Sequence, residues 1–425
     1  MLEITRLRAD ADALKTALAK RGLDADALAG VDRALERDEQ RRAHQTELDD
    51  TLARANQLSK QIGALYKQGK ADAAQAMKNE VAQLKTTGEE LREKLNQAVT
   101  ALETELYALP NAPHDLVPAG TSEADNEIFE DADELPTLAA DARPHWEVAE
   151  QYGIFDLELG VKITGSGFPV YKPNGAKLQR ALINFFLNRA TDAGYAEHQV
   201  PHLVNEDTAR ATGQLPDKEG QMYHAERDDF YLIPTAEVPL TNIYRDVLIK
   251  EDDFSIKLCG YTPCFRREAG SYGAHVRGLN RVHQFDKVEI VRIEHPDRSY
   301  AALDDMLDHV RGLLRDLELP FRILRLCGGD LGFTSALTYD FEVWSAAQQR
   351  WLEVSSVSNF ETFQSNRLKL RYRDGKKSRL VHTLNGSALA LPRIVACLLE
   401  NNQTAQGIRV PEVLRPYLGG RAWIV

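Results

Sequence analysis

The residues with the clearest chemical pattern lie between Phe265 and Glu289, where arginines, carboxylates and an aromatic residue surround a glycine-containing loop. If the second half of this segment is extended, Arg281, Phe285 and Glu289 share one face of a strand, because side chains alternate in direction. Phe285 and Glu289 are then about 13 Å apart, at about 3.3 Å per residue. A ring that stacks on a purine, arginines for phosphates and a carboxylate for a small polar group fit one elongated ligand, such as an aminoacyl-adenylate.

The whole segment resembles motif 2 of the class II aminoacyl-tRNA synthetases. Its long form, with Arg-Gly-Leu followed by Arg-Val-His-Gln-Phe, is similar to that of the seryl-tRNA synthetases. Strand alternation places Arg266 and Glu268 on one side and Arg267 on the other. The resemblance implies that Arg266 is catalytic, at the α-phosphate and the serine carboxylate, and that ATP also contacts Arg267, Glu268, Val282 and Phe285. A charged, solvated hairpin with one core aromatic is the alternative for any single residue here.

The loop between the two strands, Ala269 to Gly278, resembles the part of motif 2 that meets the acceptor end of tRNA. It contains Tyr272, His275 and Arg277, and Arg277 is the residue that we expect to contact tRNA. His275 is not expected to act as a general base, because adenylation needs no protein base.

A second set of polar residues precedes motif 2, in Pro234-Thr235-Ala236-Glu237. In an extended segment Thr235 and Glu237 lie on the same side and offer a hydroxyl and a carboxylate to an ammonium group. The segment resembles the TxE loop of the seryl-tRNA synthetases, which implies that Thr235, Ala236 and Glu237 bind the α-amino group of serine. Taken alone, Thr-x-Glu also fits a solvated loop, and its position before motif 2 favours the binding role.

Glu289 is the expected specificity residue for serine. A buried carboxylate with an unused acceptor favours a ligand that donates a hydroxyl, and alanine would leave that acceptor unsatisfied. Sites of this kind reject the analogue that lacks the hydroxyl by about 10⁴-fold or more. Threonine must instead be excluded by its volume.

A serine-rich segment, Leu352 to Phe360, resembles the magnesium-binding strand of the same family. The resemblance implies that Glu353 and Ser356 contact Mg²⁺ and phosphates, and oxygen ligands suit this ion. It also implies that Val354 and Ser355 contact ATP. Glu353 and Ser356 are three residues apart, so their side chains face opposite sides of a regular strand. Both can face the site only at a bulge or a strand end. A serine-rich strand with a solvated glutamate is the alternative.

The segment from His382 to Arg393 resembles motif 3, in which a strand enters a helix. Arg393, the second expected catalytic residue, would reach the γ-phosphate and the free face of adenine. Asn385 and Ser387 would line the serine end, and Thr383 would join the specificity carboxylate at the serine hydroxyl.

The composition limits the number of domains, the cellular location and the classes of partner. A chain of 425 residues with 43% hydrophobic content can bury a substantial core and suggests two or three domains. No run approaches the roughly 20 apolar residues of a membrane span, so we expect a soluble, cytoplasmic protein. The four cysteines lack close CxxC pairing and are expected as buried thiols rather than disulfides or zinc ligands. The net charge of −12 argues against a general nucleic-acid binder but allows a local cationic patch.

A proline-free region from about residue 30 to residue 109 carries a heptad pattern. Apolar residues recur at alternating steps of four and three, at Met77, Val81, Leu84, Gly88, Leu91, Leu95, Ala98 and Leu102. Residues 68–70 interrupt the pattern after an earlier apolar stripe, which predicts a long antiparallel helical hairpin. The earlier stripe consists of Leu48, Leu52, Ala55, Ile62 and Leu65. The distal half is cationic, and its expected tRNA-binding residues are Arg54, Lys60, Lys67, Lys70, Lys78 and Lys85.

Hairpins of this kind also serve dimerisation or partner binding. The resemblance favours tRNA, because seryl-tRNA synthetases carry an N-terminal coiled-coil arm that grips the long variable arm of their tRNA, through phosphate and shape contacts. We therefore expect a tRNA-binding domain at residues 1–109, with the arm at about 30–109. A linker is expected at 110–144, followed by a class II catalytic domain at 145–425.

The catalytic region is predicted to be α+β, with an antiparallel sheet flanked by helices. Short strands and loops alternate there without a regular βαβ rhythm, and neither GxGxxG nor a P-loop occurs. A helix at 176–193 followed by a strand-like run at 195–204 resembles motif 1, which implies a homodimer. A core helix followed by an edge strand is the alternative, because the motif is degenerate. A further helix is expected near 299–317.

The resemblance implies a ligase that forms seryl-adenylate from L-serine and ATP with Mg²⁺. Serine then passes to tRNA(Ser), and also to tRNA(Sec) where it exists. One alternative is a synthetase-like ligase that loads amino acids onto a carrier protein, and such relatives lack the long arm. Another is a non-catalytic paralogue that acts as a coiled-coil binding protein. The residues that argue against the paralogue are Arg266, Glu289, Glu353 and Arg393.

Overall fold

The computed structural model describes residues 1–218, 220–268 and 276–425. The chain divides into two compact units. The first comprises Met1–Ala19 and Leu23–Pro110, and the second comprises Lys20–Gly22 and Asn111–Val425. Within the described residues, no helix combines the length and the apolar character that a membrane crossing requires.

The first unit is helical, and its two long helices form the predicted hairpin. The helices are α1 (Ile4–Ala9), α2 (Ala11–Ala19), α3 (Ala25–Lys67) and α4 (Ala71–Ala108). Asp24 caps α3, since its carboxylate accepts a hydrogen bond from the N–H of Ala27 at 2.8 Å. The break between the long helices falls at residues 68–70, as the sequence predicts.

The buried faces of α3 and α4 follow the predicted heptad stripes. The buried positions of α4 include Val81, Gly88, Leu91, Ala98 and Leu102. Those of α3 include Leu48 and Ala55. Gly88 faces α3, and a Cβ there would make ordinary van der Waals contact with the side chain of Leu52, at 3.6 Å. Packing of these apolar stripes, rather than helix propensity, stabilises helices as long as the 43 residues of α3.

The second unit is built from strands that form one large sheet and several small ones. Among the described residues, the strands are β1 (Glu127–Glu130), β2 (Phe155–Asp156), β3 (Val170–Tyr171), β4 (Ala196–Glu197), β5 (Leu203–Val204), β6 (His224–Ala225), β7 (Phe230–Leu232), β8 (Leu248–Lys250), β9 (Ile256–Phe265), β10 (Gln284–Glu294), β11 (Phe321–Arg325), β12 (Leu337–Ser345), β13 (Arg350–Asn359), β14 (Arg371–Asp374), β15 (Lys377–Leu380), β16 (His382–Ala390), β17 (Gln403–Thr404), β18 (Gly407–Arg409) and β19 (Trp423–Ile424). The large sheet has the order β1-β11-β12-β13-β16-β10-β9-β4. Its neighbouring strands are antiparallel, except that β4 pairs with β9 in parallel.

Helices flank this sheet, which confirms the predicted α+β architecture. The helices of the second unit are α5 (His145–Tyr152), α6 (Leu157–Ile163), α7 (Pro173–Asp192), α8 (Glu206–Thr212), α9 (Glu237–Asn242), α10 (Ser299–Asp316), α11 (Thr362–Leu368) and α12 (Leu391–Asn401). Helices α7, α10 and α12 pack on the sheet through one apolar core. Its residues include Phe186, Leu303, Ile290, Val357 and Val395. Buried, unpaired cysteines are found where thiols were expected, at Cys259, Cys264, Cys327 and Cys397.

Residues 195–204 and residues 110–144 differ from the expectation. Residues 195–204 do not form one strand, because β4 and β5 are two residues long and belong to different sheets. Pro201 lies between them and lacks the N–H that a continuous ladder needs. The segment 110–144, expected as a linker, contains β1, which pairs with β11 and forms the outer strand of the large sheet.

Candidate active site

A cavity of about 480 Å³ in the second unit brings together segments that are far apart in the sequence. The 234–237 segment, the residues after β9, strand β10, the serine-rich strand β13, strand β16 and the start of α12 all contribute to it. Residues lining the cavity include Thr235, Glu237, Arg266, Glu268, Arg281, Val282, Phe285, Lys287, Glu353, Val354, Ser355, Ser356, Asn385, Ser387 and Arg393. Most of the residues predicted to bind ATP or serine therefore share one cavity.

The pairing of β9 with β10 decides which side chains of motif 2 face this cavity. The antiparallel register runs without a shift along residues 284–293. Side chains therefore alternate strictly, and Phe285 and Glu289 lie on the same face. Phe285 lines the cavity. Glu289 is fully buried and contacts two side chains that line it, those of Thr235 and Asn385.

Glu289 belongs to a buried polar cluster. Its Oε2 accepts a hydrogen bond from the hydroxyl of Thr235 at 3.1 Å and forms an ion pair with Lys287, while its Oε1 accepts from the amide of Asn385. The ammonium of Lys287 also donates to Thr235 Oγ1 at 3.0 Å and to Ser387 Oγ at 3.4 Å. The carboxylate of Glu289, on which an unused acceptor was expected, thus already has partners on both oxygens, because a buried charge requires compensation. A ligand hydroxyl would join this cluster rather than meet an isolated carboxylate.

Lys287 is a site residue that was not predicted from the sequence. Its ammonium is the counter-charge of Glu289, and both side chains are almost completely buried. The sequence could have identified it, because Lys287 is two residues from both Phe285 and Glu289. Side chains two residues apart in a strand lie on the same face.

The 234–237 segment brings Thr235 and Glu237 to the cavity, although it is not extended as expected. Ala236 has right-handed helical dihedrals, and Glu237 begins α9. Thr235 Oγ1 accepts a hydrogen bond from the N–H of Glu237 at 3.3 Å, which fixes this turn. Burial raises the pKa of Glu237 to about 7, against the opposing effect of a hydrogen bond from Gln364. Ala236 is fully buried and contributes only its place in the turn.

Thr383 does not reach Glu289, in contrast to the prediction. Ser387 lies opposite Glu289 in the pairing of β10 with β16, and Thr383 is four residues before Ser387. The hydroxyl of Thr383 instead donates to Gln364 Oε1 at 2.8 Å, and Gln364 Nε2 donates to Glu237 at 2.6 Å. Thr383 therefore supports the carboxylate of the 234–237 segment.

Arginines mark the other end of the cavity. The guanidinium of Arg266 lies over the ring of Phe285, 5.3 Å from its centroid. Glu268 forms an ion pair with Arg281, which precedes β10 rather than lying within an extended strand. The side chain of Arg267 is exposed and does not line the cavity. Residues 266–268 follow β9 rather than continue it, and the N–H of Arg267 donates to the carbonyl of Gln221 at 2.9 Å, so the expected strand alternation does not apply here. The predicted contact of Arg267 with ATP is therefore not supported by its position.

Arg393 lies in the first turn of α12, and two main-chain carbonyls orient it. Its Nε donates to the carbonyl of Asn280 at 2.9 Å, and its Nη1 donates to the carbonyl of Glu353 at 2.7 Å. The carboxylate of Glu353 is 3.7 Å from the same Nη1. The guanidinium therefore has a defined direction within the cavity.

The serine-rich strand contains the bulge that its sequence requires. The register of β13 with β12 shifts by one residue at Val354, which has no partner on β12. Glu353 and Ser356 consequently both line the cavity, and the hydroxyl of Ser356 lies 3.4 Å from a carboxylate oxygen of Glu353. These oxygens suit Mg²⁺, which commonly takes its other ligands from substrate phosphates and water. No group of three or more His, Cys, Asp or Glu side chains that could hold a metal occurs in the described chain.

The cationic residues of the hairpin are exposed, as tRNA binding would require. Arg54 forms an ion pair with Glu80 at 2.6 Å, between α3 and α4. The five lysines predicted to bind tRNA are also exposed, at Lys60, Lys67, Lys70, Lys78 and Lys85. In the second unit the guanidinium of Arg277 lies over the ring of Trp146, 4.7 Å from its centroid. Tyr272 and His275 lie outside the described residues.

The antiparallel sheet and the four sequence segments that meet at its cavity agree with two family matches. Residues 221–402 match the family described as tRNA synthetase class II core domain (G, H, P, S and T). Residues 1–113 match the seryl-tRNA synthetase N-terminal domain. Fold and site together define a class II aminoacyl-tRNA synthetase.

Relatives over the full length specify the family. The serine–tRNA ligase of Salinibacter ruber is 53% identical, with 99% of this chain and 98% of the relative covered, and that of Delftia acidovorans is 45% identical, with 99% of each covered. The chain belongs to the seryl-tRNA synthetases, the ATP-dependent ligases that join serine to tRNA. The crystal structure of seryl-tRNA synthetase from Pyrococcus horikoshii complexed with ATP has a TM-score of 0.87 and 31% identity, covering 99% of this chain and 98% of that one. These full-length matches argue against both alternatives drawn from the sequence.

Proposed function

We propose that the chain forms seryl-adenylate in the cavity described above, with adenine on Phe285 and the serine hydroxyl at Glu289. The supporting observation is the unshifted pairing of β9 with β10, which sets both residues on one face of one strand. The complex of the Pyrococcus horikoshii relative with ATP supports the nucleotide half of this proposal.

At the serine end, the ammonium of the substrate binds Glu237 and the hydroxyl joins the cluster around Glu289. Glu237 is largely buried and has one side-chain partner named above, Gln364, so an ammonium group can compensate its charge. Asn385 and Ser387 complete the pocket, and Thr383 acts indirectly by holding Gln364. One carboxylate binds the amino group of the substrate and a second binds its hydroxyl. The pocket therefore favours serine over alanine or glycine, which lack the hydroxyl.

In the first step the serine carboxylate attacks the α-phosphorus of ATP. The bond from this phosphorus to the bridging oxygen breaks, and pyrophosphate leaves. Arg266 stabilises the charge on the α-phosphate, while Arg393 binds the γ-phosphate and covers adenine. Positioning and electrostatic stabilisation provide most of the rate enhancement, and an ionised carboxylate needs no general base.

Glu353 and Ser356 are the residues that would hold Mg²⁺. The bulge at Val354 supports this role, because it turns both oxygen-bearing side chains into the cavity. When bound, the ion would neutralise part of the phosphate charge. Val354 and Ser355 would shape the same wall against ATP.

In the second step the seryl group passes to the terminal ribose of tRNA(Ser), and AMP leaves. The exposed cations of the hairpin and Arg277 would bind the phosphates of this tRNA. The proposal extends to tRNA(Sec) where it exists, to a homodimer on the basis of the motif 1 resemblance, and to action in the cytoplasm, where charged tRNA is used.

A charging assay tests the complete reaction. We expect serine to be joined to tRNA(Ser), and a tRNA without a long variable arm is the matched control. Equal charging of both tRNAs would contradict the role given to the hairpin, and transfer of serine to a carrier protein instead would contradict the reaction.

A further inference from the structure

A buried polar cluster lies next to the nucleotide end of the cavity and has no role in the reaction described above. We call it the His145 cluster, and it consists of His145, Asn280, Ser345, Gln348 and Glu400. His145, Ser345 and Glu400 are completely buried. Buried polar groups of this kind fix the geometry of the elements that carry them when every partner is satisfied.

The hydrogen bonds of His145 determine its protonation. The backbone N–H of Leu279 donates to His145 Nε2 at 2.9 Å, so this nitrogen carries no proton. The proton is therefore on Nδ1, which donates to Glu400 Oε1 at 2.8 Å. The imidazole is neutral and holds one fixed orientation between the two partners.

Glu400, in the last turns of α12, collects several donors. It accepts hydrogen bonds from the hydroxyl of Ser345, from Gln348 Nε2 at 2.9 Å and from the backbone N–H of His145 at 3.0 Å. Burial raises the pKa of this carboxyl, but hydrogen bonds from His145 and Ser345 outweigh it and hold the pKa below its ordinary value. A charged group with this many partners anchors α12 firmly.

The cluster is connected to Arg393 by two routes. The carbonyl that accepts from Arg393 Nε belongs to Asn280, the neighbour of Leu279. The side chain of Asn280 donates to Gln348 Oε1 at 2.8 Å. Arg393 and Glu400 also lie on the same helix, seven residues or about two turns apart. His145 thus holds both the carbonyl that orients Arg393 and the helix that carries it.

His145 and its neighbour also hold the end of the motif 2 loop. Gly278 has φ +71°, and a Cβ at this position would lie 2.2 Å from His145 Nε2. The ring of Trp146 lies under the guanidinium of Arg277. Residues 277–280 are therefore fixed by the first two residues of α5.

We propose that His145 is a positioning residue for ATP, which acts by fixing the Asn280 carbonyl and through it the direction of Arg393. His145 does not line the cavity, so it does not touch the substrates. The inference rests on the proposed function, in which Arg393 binds ATP. It predicts a selective effect on ATP, because the serine pocket is held by other residues.

Two substitutions separate the bonds of the imidazole. In His145→Asn the amide nitrogen takes the place of Nδ1 and keeps the bond to Glu400, but no acceptor remains for the N–H of Leu279. In His145→Gln the side-chain oxygen takes the place of Nε2 and keeps that acceptor. The measurement is serine-dependent ATP/pyrophosphate exchange with the full chain, with KM determined separately for ATP and for serine.

We expect His145→Asn to raise the KM for ATP about tenfold, as the loss of one buried hydrogen bond predicts. The KM for serine should stay within about twofold of wild type, and His145→Gln should have a KM for ATP closer to wild type than His145→Asn. If neither His145 variant folds, Gln348→Ala removes a partly buried member of the cluster, and it should also raise the KM for ATP without changing that for serine.

His309→Gln is the matched control, because His309 is a largely buried histidine on α10 whose Nε2 has no hydrogen-bond partner among the described residues. It should leave both KM values unchanged. Equal KM values for ATP in His145→Asn and His145→Gln, or parallel changes in both KM values that follow the loss of thermal stability, would overturn the inference. A wild-type chain without serine-dependent exchange would instead remove the proposed function and the inference with it.

Discussion

Lys287 and Glu289 form an ion pair inside the sheet, with only 6% and 1% of their side chains exposed. The two residues are neighbours on one face of β10, and both contact Thr235. The carboxylate that is expected to select serine is therefore neutralised by a lysine of the same strand. This pairing has consequences for stability and for specificity.

Removal of the lysine should be more damaging than removal of the whole pair. Lys287→Met leaves a buried carboxylate without its counter-charge, and we expect the free energy of unfolding to fall by about 3–5 kcal/mol. Chemical denaturation measures this change. In Lys287→Met/Glu289→Gln the uncompensated charge is gone, so the double variant should be more stable than Lys287→Met alone. Additive losses from the two single substitutions would contradict a coupled pair.

Serine binding should depend on pH through Glu237, whose pKa burial raises to about 7. The ionised carboxylate is the form that accepts the substrate ammonium. We therefore expect the KM for serine to fall about tenfold between about pH 6 and about pH 8, as the ionised fraction of such a group rises. Glu237→Gln should bind serine weakly with no such dependence, and a pH-independent KM in the wild type would exclude this role.

The same shift has a defined effect on stability. Because the folded-state pKa is raised above the ordinary value of 4.5, folding takes up a proton, and the contribution of Glu237 to stability is lost as pH rises from about 4.5 to about 7. Bound serine would compensate the charge above that range. Serine should therefore raise the melting temperature more at about pH 8 than at about pH 6, and the reverse order would contradict the assignment.

Glu353 should control the requirement for Mg²⁺. Glu353→Gln keeps the shape of the side chain but removes its charge, and we expect the Mg²⁺ concentration for half-maximal pyrophosphate exchange to rise by about tenfold or more. Glu342→Gln is the matched control, since Glu342 lies opposite Glu353 on β12 but pairs with Arg322 at 2.6 Å. The same Mg²⁺ requirement in both variants would argue against a metal at Glu353.

The helical hairpin should serve tRNA and not serine activation. Deletion of residues 33–106 should leave pyrophosphate exchange intact and abolish charging of tRNA. A milder variant replaces Lys60, Lys67, Lys70, Lys78 and Lys85 with alanine and keeps the coiled coil. It should weaken charging most at low salt and make charging less sensitive to salt than in the wild type, because fewer phosphate contacts remain for salt to screen. Equal loss of exchange and charging on deletion would show that the hairpin supports the catalytic fold itself.

The alternation of side chains along a strand explains why much of the site could be predicted. The alternation of side chains along one strand is a local property, so the shared face of Phe285 and Glu289 follows once the strand is assigned. The bulge at Val354 was predictable for the same reason, because Glu353 and Ser356 cannot otherwise face one cavity.

Contacts between distant strands and helices could not be derived in this way. The place of Thr383 depends on the register of β16 with β10, which contains its own shift between Lys287 and Glu289. His145 and Glu400 are 255 residues apart in the sequence, and only the folded chain brings them together. The turn at Thr235 escaped prediction because its capping hydrogen bond, rather than the alternation of an extended chain, sets the direction of Glu237.

The central claim is that β10 carries a purine-binding ring and a serine-selecting carboxylate on one face. Serine-dependent ATP/pyrophosphate exchange, compared with alanine, threonine and glycine as substrates, tests it most directly in the wild type and in Glu289→Ala. We expect exchange by the wild type to favour serine over alanine by about 10⁴-fold, and Glu289→Ala to lose most of that preference. Exchange that is best supported by threonine or alanine, or an unchanged preference for serine in Glu289→Ala, would contradict the account.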